Sequence, residues 1–513
     1  MDSDITQSIT HSKIITKARI YAALAALVIT LGWRIGQLHL DGDVLWHLMD
    51  ARLILRHGII HTPPATWTAH GHHFVDPEWG WEYILGWMAR IFGQGAGARI
   101  LSMGLIAATV ALVAVQLIRY SVRYQLILGG IFTVVPLLVF MRLRPQDAGY
   151  MLFVLCLILL QLARTHRWPL YVLVVTIAVW ENLHGTFLIG VGLISFECAW
   201  AIVRNRIQAA RPKRALPSAI SVSRVVWLWP VTILVALFAN PYGPALLISQ
   251  VRAALWGPMR LIVEWAPFST SNLVVLAIVL AATVSCAVAL RHSIYQDTGY
   301  WVWALTGLLG ILVGLSSAVI LPYGLLASSL AVLGLPRLET GNSVQWHPKH
   351  KALRSCWLAV VLGIVSLIFG TIIGWGPYQS TQDIQLTQAA QHLPAKSTHV
   401  FTTYRLGDWM VSTGRPAVIY GDTFIWVGSN MLQRYEAVNE LTTNPIPVLR
   451  SWGTSWVLWR RHEALEMYLK AKGWIIVWED KAFVILRAPT QNVPKHGSRS
   501  VSTTHFARSV KVG

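Results

Sequence analysis

The sequence predicts a polytopic α-helical membrane protein of about eleven transmembrane helices, followed by an extracytoplasmic α/β domain. Three observations carry that expectation. The 513 residues are 54% hydrophobic and only 13% charged, with a mean hydropathy of +0.51, the balance of a membrane bundle with room for one water-facing domain. Apolar runs of about 17 to 25 residues, enough to cross a hydrocarbon core, begin near Ala18, Ala98, Gln125, Ala148, Trp168, Thr186, Val225, Leu273, Tyr300, Ser317 and Ser355. Past Trp375 the pattern changes to short apolar runs alternating with amphipathic stretches, as in a small sheet covered by helices.

Charge assigns the sides. A formal net charge of +19 would suggest nucleic acid for a soluble chain, but here the basic residues sit in short loops beside apolar runs, where they set orientation. No nucleic-acid partner is expected. The segment from Trp79 to Gly93 is a candidate twelfth span. Read as a helix on the membrane surface, as Trp79, Trp81, Tyr83 and Trp87 suit, it leaves the connections at Lys13/Lys17, Arg119/Arg123, Arg164/Arg167, Arg204 to Arg214, Arg291 and Arg337 to Arg354 on one side. Read as a span, it moves the run from Arg204 to Arg214 outside, against the positive-inside rule.

The expected division is a cytoplasmic tail over 1–17, a transmembrane domain over 18–375 with a first outer loop at 39–97, an outer α/β domain over 376–488, and a disordered basic tail over 489–513. The first 18 residues are polar and lack a small-residue cleavage site, so the first span is expected to be its own anchor. Cys156, Cys198, Cys286 and Cys356 are far apart in apolar segments and form neither a disulfide framework nor a metal motif. In the outer domain THVFTT, PAVIY, TSWVLW and GWIIVW read as buried strands of a mostly parallel sheet. Helices are expected around Asp408, Met431 and Glu463 to Ala471.

The first outer loop concentrates the chemistry. Between His39 and Glu82 it gathers Asp41, Asp43, Asp50, Asp76, Glu78 and Glu82 from a total of 23 acidic residues, with His47, His57, His61, His70, His72 and His73 among them. Polar groups beside a span are costly unless solvated or paired, so such a cluster marks function or a solvated loop. Asp41 and Asp43 form a D-x-D pair that suits a divalent cation carrying phosphates, or a general base, or simply water. On a helix Asp43, His47 and Asp50 share one face, and Glu78 and Glu82 sit one turn apart. Asp76 before Pro77 resembles a helix start, with Asp76 as N-cap.

By the same sidedness RLRPQD (Arg142 to Asp147), WENLHG (Trp180 to Gly185), NPYG (Asn240 to Gly243) and the segment from Arg252 to Trp265 emerge on the outer face. Arg142 and Arg144, with Arg252 and Arg260, suit bidentate grip of a phosphate or snorkelling to lipid headgroups. His184 beside Gly185 suits either donation to a phosphate oxygen or a structural helix boundary. There is no Walker A loop, no G-x-S-x-G and no H-E-x-x-H, so a nucleotide-driven pump or a hydrolase of those kinds is not indicated.

The run D-x-D-x-x-W-H-L from Asp41, the later F-V-D-x-E-W-x-x-E ending at Glu82, then R-P-Q, N-L-H-G, N-P-Y-G, G-D-W and Y-G-D in that order, resembles a group of bacterial multi-span proteins related to the GT-C glycosyltransferases. The resemblance runs from the first span to about Arg487. It implies a polyprenyl-phosphate-linked sugar donor, a glycan, lipid or protein acceptor, and transfer at the outer face of the inner membrane. It implies Asp43, Asp41, Asp76 and Glu78 as catalytic residues; the residues themselves set Arg142, Arg144, His184, His47 and Glu82 toward substrate and Mg or Mn as a candidate cation at Asp41 and Asp43. Two places depart from the group, which often carries an Arg before a late span and a G-D-R in the tail. Here these places read LSSAVILPYG and Gly421-Asp422-Thr423. A transporter of lipid-linked glycans and a non-catalytic membrane scaffold are the alternatives; the first would place charges deep within the spans.

Overall fold

A computed structural model describes residues 29–30, 32–37, 42–69, 72–140, 142–211, 216–217, 219–262, 265–268, 273–296, 298–337, 381–394 and 399–489. In chain order the helices are α1 (Gly42–His57), α2 (Trp79–Phe92), α3 (Gln94–Tyr120), α4 (Arg123–Phe140), α5 (Gln146–Leu162), α6 (Trp168–Leu183), α7 (Phe187–Ala210), α8 (Val222–Phe238), α9 (Pro244–Leu255), α10 (Leu273–Tyr295), α11 (Trp301–Ser316) and α12 (Leu321–Ala331). There follow α13 (Thr381–Gln391), β1 (Val400–Phe401), α14 (Tyr404–Ser412), α15 (Met431–Asn439), α16 (Pro445–Ser451), β2 (Trp456–Arg460), α17 (Ala464–Ala471), β3 (Ile475–Glu479) and β4 (Phe483–Arg487). The described residues fall into two compact units.

The first unit (29–37, 99–244 and 262–337) is a bundle of apolar helices. Among the described residues α3, α7 and α10, of 27, 24 and 23 residues, are long and apolar enough to cross a membrane, and seven further apolar helices, one of them α9 of the second unit, are shorter. The spans expected near Ser355 and over most of the stretch from Ala18 lie outside the described residues, as do Asp41, His70 and the tail beyond residue 489. Small residues bring the bundle's backbones together. A Cβ on Gly310 of α11 would stand 2.7 Å from the Gly324 Cα of α12, so these two helices meet only because both positions are glycine. Pro136 in α4 and Pro230 in α8 sit inside their helices, as membrane helices tolerate.

The second unit (42–98, 245–261 and 381–489) joins the first loop to the tail segment. Its four-stranded sheet has the order β1-β2-β4-β3. Only β1 and β2 are parallel; β4 runs antiparallel to both β2 and β3. The mostly parallel sheet expected from the sequence is therefore corrected. The cause is a tight turn at Asp480, whose Oδ1 accepts the backbone N–H groups of Ala482 and Phe483, each at 2.7 Å. That turn folds β3 back onto a strand, Phe483–Arg487, which the sequence reading did not mark. The PAVIY run contributes a single bridge, Ala417 to Thr66, rather than a full strand.

The expected helices at Asp408, Met431 and 463–471 are α14, α15 and α17. α14 starts where the Thr403 hydroxyl accepts from the Leu406 N–H, and α16 where Asn444 accepts from the Ile446 N–H with Pro445 following it, both common N-terminal devices. Leu386, Ala389, Val400, Leu406, Met410, Leu458, Phe483 and Ile485 close one core between α13, α14 and the sheet. α1 packs against both α2 and α14. One side of α2 is buried at Trp81, Glu82, Leu85 and Gly86, while Tyr83, Ile84, Trp87, Ile91 and Phe92 are exposed. That apolar stripe is what a helix lying in a membrane interface presents.

Candidate functional site

The acidic residues of the first loop meet inside the second unit. Successive turns of α1 carry Asp43, His47 and Asp50, with Asp43 in the first turn and half-buried. The segment before α2 supplies Asp76 and Glu78, and α2 itself supplies Glu82. Asp76 Oδ1 accepts the Glu78 N–H at 2.8 Å, which closes a local turn. The helix begins two residues later than the Asp-Pro pair suggested, at Trp79 with Glu78 as its N-cap. Asp76 therefore braces the turn ahead of α2 and is not its N-cap.

His47 holds the two glutamates. Its Nδ1 lies 2.8 Å from Glu82 Oε1 and its Nε2 lies 3.6 Å from Glu78 Oε2. Glu78 and Glu82, one turn apart, thus face the same imidazole rather than water. His47 and Glu82 were expected to touch substrate. They are buried, at 2% and 0% exposure, and bonded to each other.

The tail segment adds carboxylates that the loop reading did not assign. The bridge between Thr66 and Ala417 is reinforced where the Thr68 hydroxyl donates to the Val418 carbonyl at 2.8 Å. It carries Tyr420, Gly421 and Asp422 to α1. A Cβ on Gly421 would stand 2.5 Å from Trp46 Nε1 and 2.6 Å from Asp43 Oδ1, so only glycine lets the chain pass this close to Asp43. Asp408 of the G-D-W motif fixes the turn, its Oδ1 accepting the Gly421 N–H at 2.5 Å. Asp408→Ala is expected to destabilise the protein by about 1–3 kcal/mol through an unpaired, partly buried N–H. Asp408→Asn, which keeps an acceptor, should cost clearly less. Equal thermal melts for the two variants would contradict this role.

Burial governs the electrostatics. Asp50 and Glu82 are fully buried, and Asp76 and Asp422 are 2% exposed. Both carboxyl oxygens of Asp50 and of Asp422 lack a hydrogen-bond partner among the described residues. Burial pushes the Asp50 carboxyl well above the ordinary range, with repulsion from Asp76 and Asp422 adding to it. Glu82 is raised in the same way by burial and then by Asp76 and Asp50. Asp422 rises through burial and then Asp76. Asp76 is pushed up by burial to about 6, with Glu82 and the Glu78 N–H restraining the rise. Burial and mutual repulsion thus act in the same direction on these carboxyls, disfavouring their charged forms.

Other expected residues lie elsewhere. His57, His61, His72 and His73 are on the surface, and Arg252 and Arg260 are exposed in the second unit. In the first unit Arg142 is exposed, Arg144 half-buried and His184 buried. Among the described residues no three His, Cys, Asp or Glu are grouped so as to hold a metal ion.

No protein-family model matches the sequence, and no curated protein matches it. Among solved structures the chain is similar to an oligosaccharyltransferase of Archaeoglobus fulgidus tethered with an acceptor peptide. The identity is 12%, the TM-score 0.48, and the match covers 86% of this chain and 69% of the other. It is also similar to ArnT from Cupriavidus metallidurans bound to undecaprenyl phosphate, at 13% identity and a TM-score of 0.38, over 93% of this chain and 99% of the other. The apo form of that ArnT gives 12% identity and a TM-score of 0.34. All three scores are below 0.5, and the likenesses carry no argument about fold or activity.

Proposed function

We propose that this chain is a membrane glycosyltransferase. It moves a sugar from a polyprenyl-phosphate-linked donor to a hydroxyl of a glycan, lipid or protein acceptor on the outer face of a bacterial inner membrane. The observation that carries this reading is Asp43, the half-buried carboxylate at the edge of an otherwise buried acidic cluster. Its carboxylate takes the acceptor proton as the acceptor oxygen bonds to the anomeric carbon. The bond from that carbon to the lipid phosphate breaks, and its electron pair leaves with the phosphate. Burial raises the neighbouring Asp50, Asp76, Glu82 and Asp422 carboxyls above their ordinary values. Asp76 and Glu78, expected to be catalytic, act here through His47 and the turn before α2. Arg142 and Arg144 are the groups proposed to hold the donor phosphate, by the bidentate geometry that guanidinium offers.

The eleven-span topology belongs to this proposal, as does the outer placement of the second unit. The divalent cation expected at Asp41 and Asp43 rests in part on Asp41, which lies outside the described residues, and the step needs only Asp43. Membranes from cells overproducing the protein, supplied with radiolabelled polyprenyl-phosphate sugars, should release free polyprenyl phosphate faster than membranes without it. Equal release from both would overturn the proposal.

A further inference from the structure

In the second unit the sheet ends on an open edge. β3 is the last strand in the order β1-β2-β4-β3, and among the described residues it pairs with β4 alone. β4, inside the sheet, is buried from Phe483 to Leu486. β3 is the opposite: Ile475, Ile476 and Val477 are 44%, 38% and 44% exposed. An edge strand presents a row of unpaired N–H and C=O groups, which proteins commonly blunt with charge, proline or a covering segment. Here three consecutive large apolar residues occupy it, and its first charge is Glu479 at the far end.

The two ends of this edge carry opposite charge. Lys472, exposed, stands just before the strand, while Glu479 and Asp480 close it. Glu479 lies 3.4 Å from Arg461 Nε yet keeps 35% of its side chain exposed. Turned end for end, such an edge is complementary to itself, because the basic start of one copy meets the acidic end of the other. A parallel neighbour would set like charges side by side. The ladder to β4 skips Val477, a bulge that adds local twist. Ile475 and Ile476 keep regular partners in Arg487 and Leu486, and they form the straight, apolar part of the edge.

We propose that the open edge of β3 binds a second copy of this chain, the two strands pairing antiparallel about a two-fold axis so that two four-stranded sheets join into one. A two-fold axis presents the same surface on both partners, which suits a strand whose two ends complement each other. Main-chain hydrogen bonds along the edge supply the attraction, as in strand addition. Ile475 and Ile476 lose their contact with water, and the Lys472 and Glu479 ends fix the direction. The inference uses neither the acidic cluster nor sugar transfer, and it stands apart from the glycosyltransferase reading.

The test is the mass of the full-length protein in detergent, read by light scattering over a dilution series. The wild type should be a dimer that dissociates on dilution. Ile476→Lys places a charge in the middle of the edge and should give a monomer with the wild-type melting curve. Lys472→Glu and Glu479→Lys should each weaken dimerisation about tenfold, since each removes two symmetric charge pairs and sets like charges together. The double variant Lys472→Glu/Glu479→Lys restores opposite charges and should recover most of that loss. A wild type that is monomeric throughout, or an Ile476→Lys variant that stays dimeric, overturns the proposal. So does a monomeric wild type whose β3 amides resist hydrogen exchange, which would assign the edge to another occupant. A charge-swapped double variant weaker than either single variant overturns the antiparallel pairing.

Discussion

Asp43→Asn is expected to lower sugar transfer at least about a hundredfold, the usual contribution of a positioned general base, while lowering stability by no more than about 1 kcal/mol. Asn has nearly the size of Asp, so the close passage of Gly421 beside Asp43 Oδ1 is kept while the ability to take a proton is lost. The first turn of α1 also loses a negative charge that favours a helix N-terminus, an effect of a few tenths of a kcal/mol to about 1 kcal/mol. The measurement is transfer rate at saturating donor together with the melting curve. Loss of both activity and fold would assign Asp43 a structural role. Retention of activity would remove it from the chemistry.

The second large effect concerns pH. Burial raises Asp76 from 3.8 to about 6, so the folded state binds a proton that the unfolded chain releases earlier. Stability contributed by that proton is fully present below about pH 4 and is lost as pH rises through about 6. The loss is on the order of 3 kcal/mol, from about 1.4 kcal/mol per pH unit. Asp50, Glu82 and Asp422, all raised well above their ordinary values, extend the same trend to higher pH. Asp76→Asn keeps an acceptor for the Glu78 N–H and carries no charge. It should therefore melt several degrees higher than wild type at pH 8 and nearly equally at pH 4. A variant less stable than wild type at pH 8 would show that ionised Asp76 holds the site together.

Parts of this site were legible in the sequence because they are local. The spacing of Asp43, His47 and Asp50 and the single turn between Glu78 and Glu82 follow from helical periodicity, and His47 joins the two helices by meeting both Glu78 and Glu82. The helices α14, α15 and α17 were legible for the same reason. The contribution of Asp422 was not, because it depends on the pairing of Thr66 with Ala417, and no local period records which distant segments pair. The available signal was Asp408 and Asp422, each following a glycine, G-D-W and Y-G-D; one ties down the Gly421 N–H and the other is buried in the cluster. The sheet was misread because β4 is buried along four consecutive residues. An uninterrupted apolar run has no alternation, and the turn at Asp480 that makes it a hairpin partner lacks the usual Asn-Gly or Asp-Gly signature.

The most direct test of a lipid-linked donor is the lipid that the protein carries. Lipids extracted from the purified protein and analysed by mass spectrometry should be enriched in polyprenyl phosphate species for wild type. That enrichment should be lost from the Arg142→Ala/Arg144→Ala double variant. Bulk phospholipid alone in both preparations would contradict the account and favour a membrane scaffold, with the acidic cluster serving only the fold of the second unit.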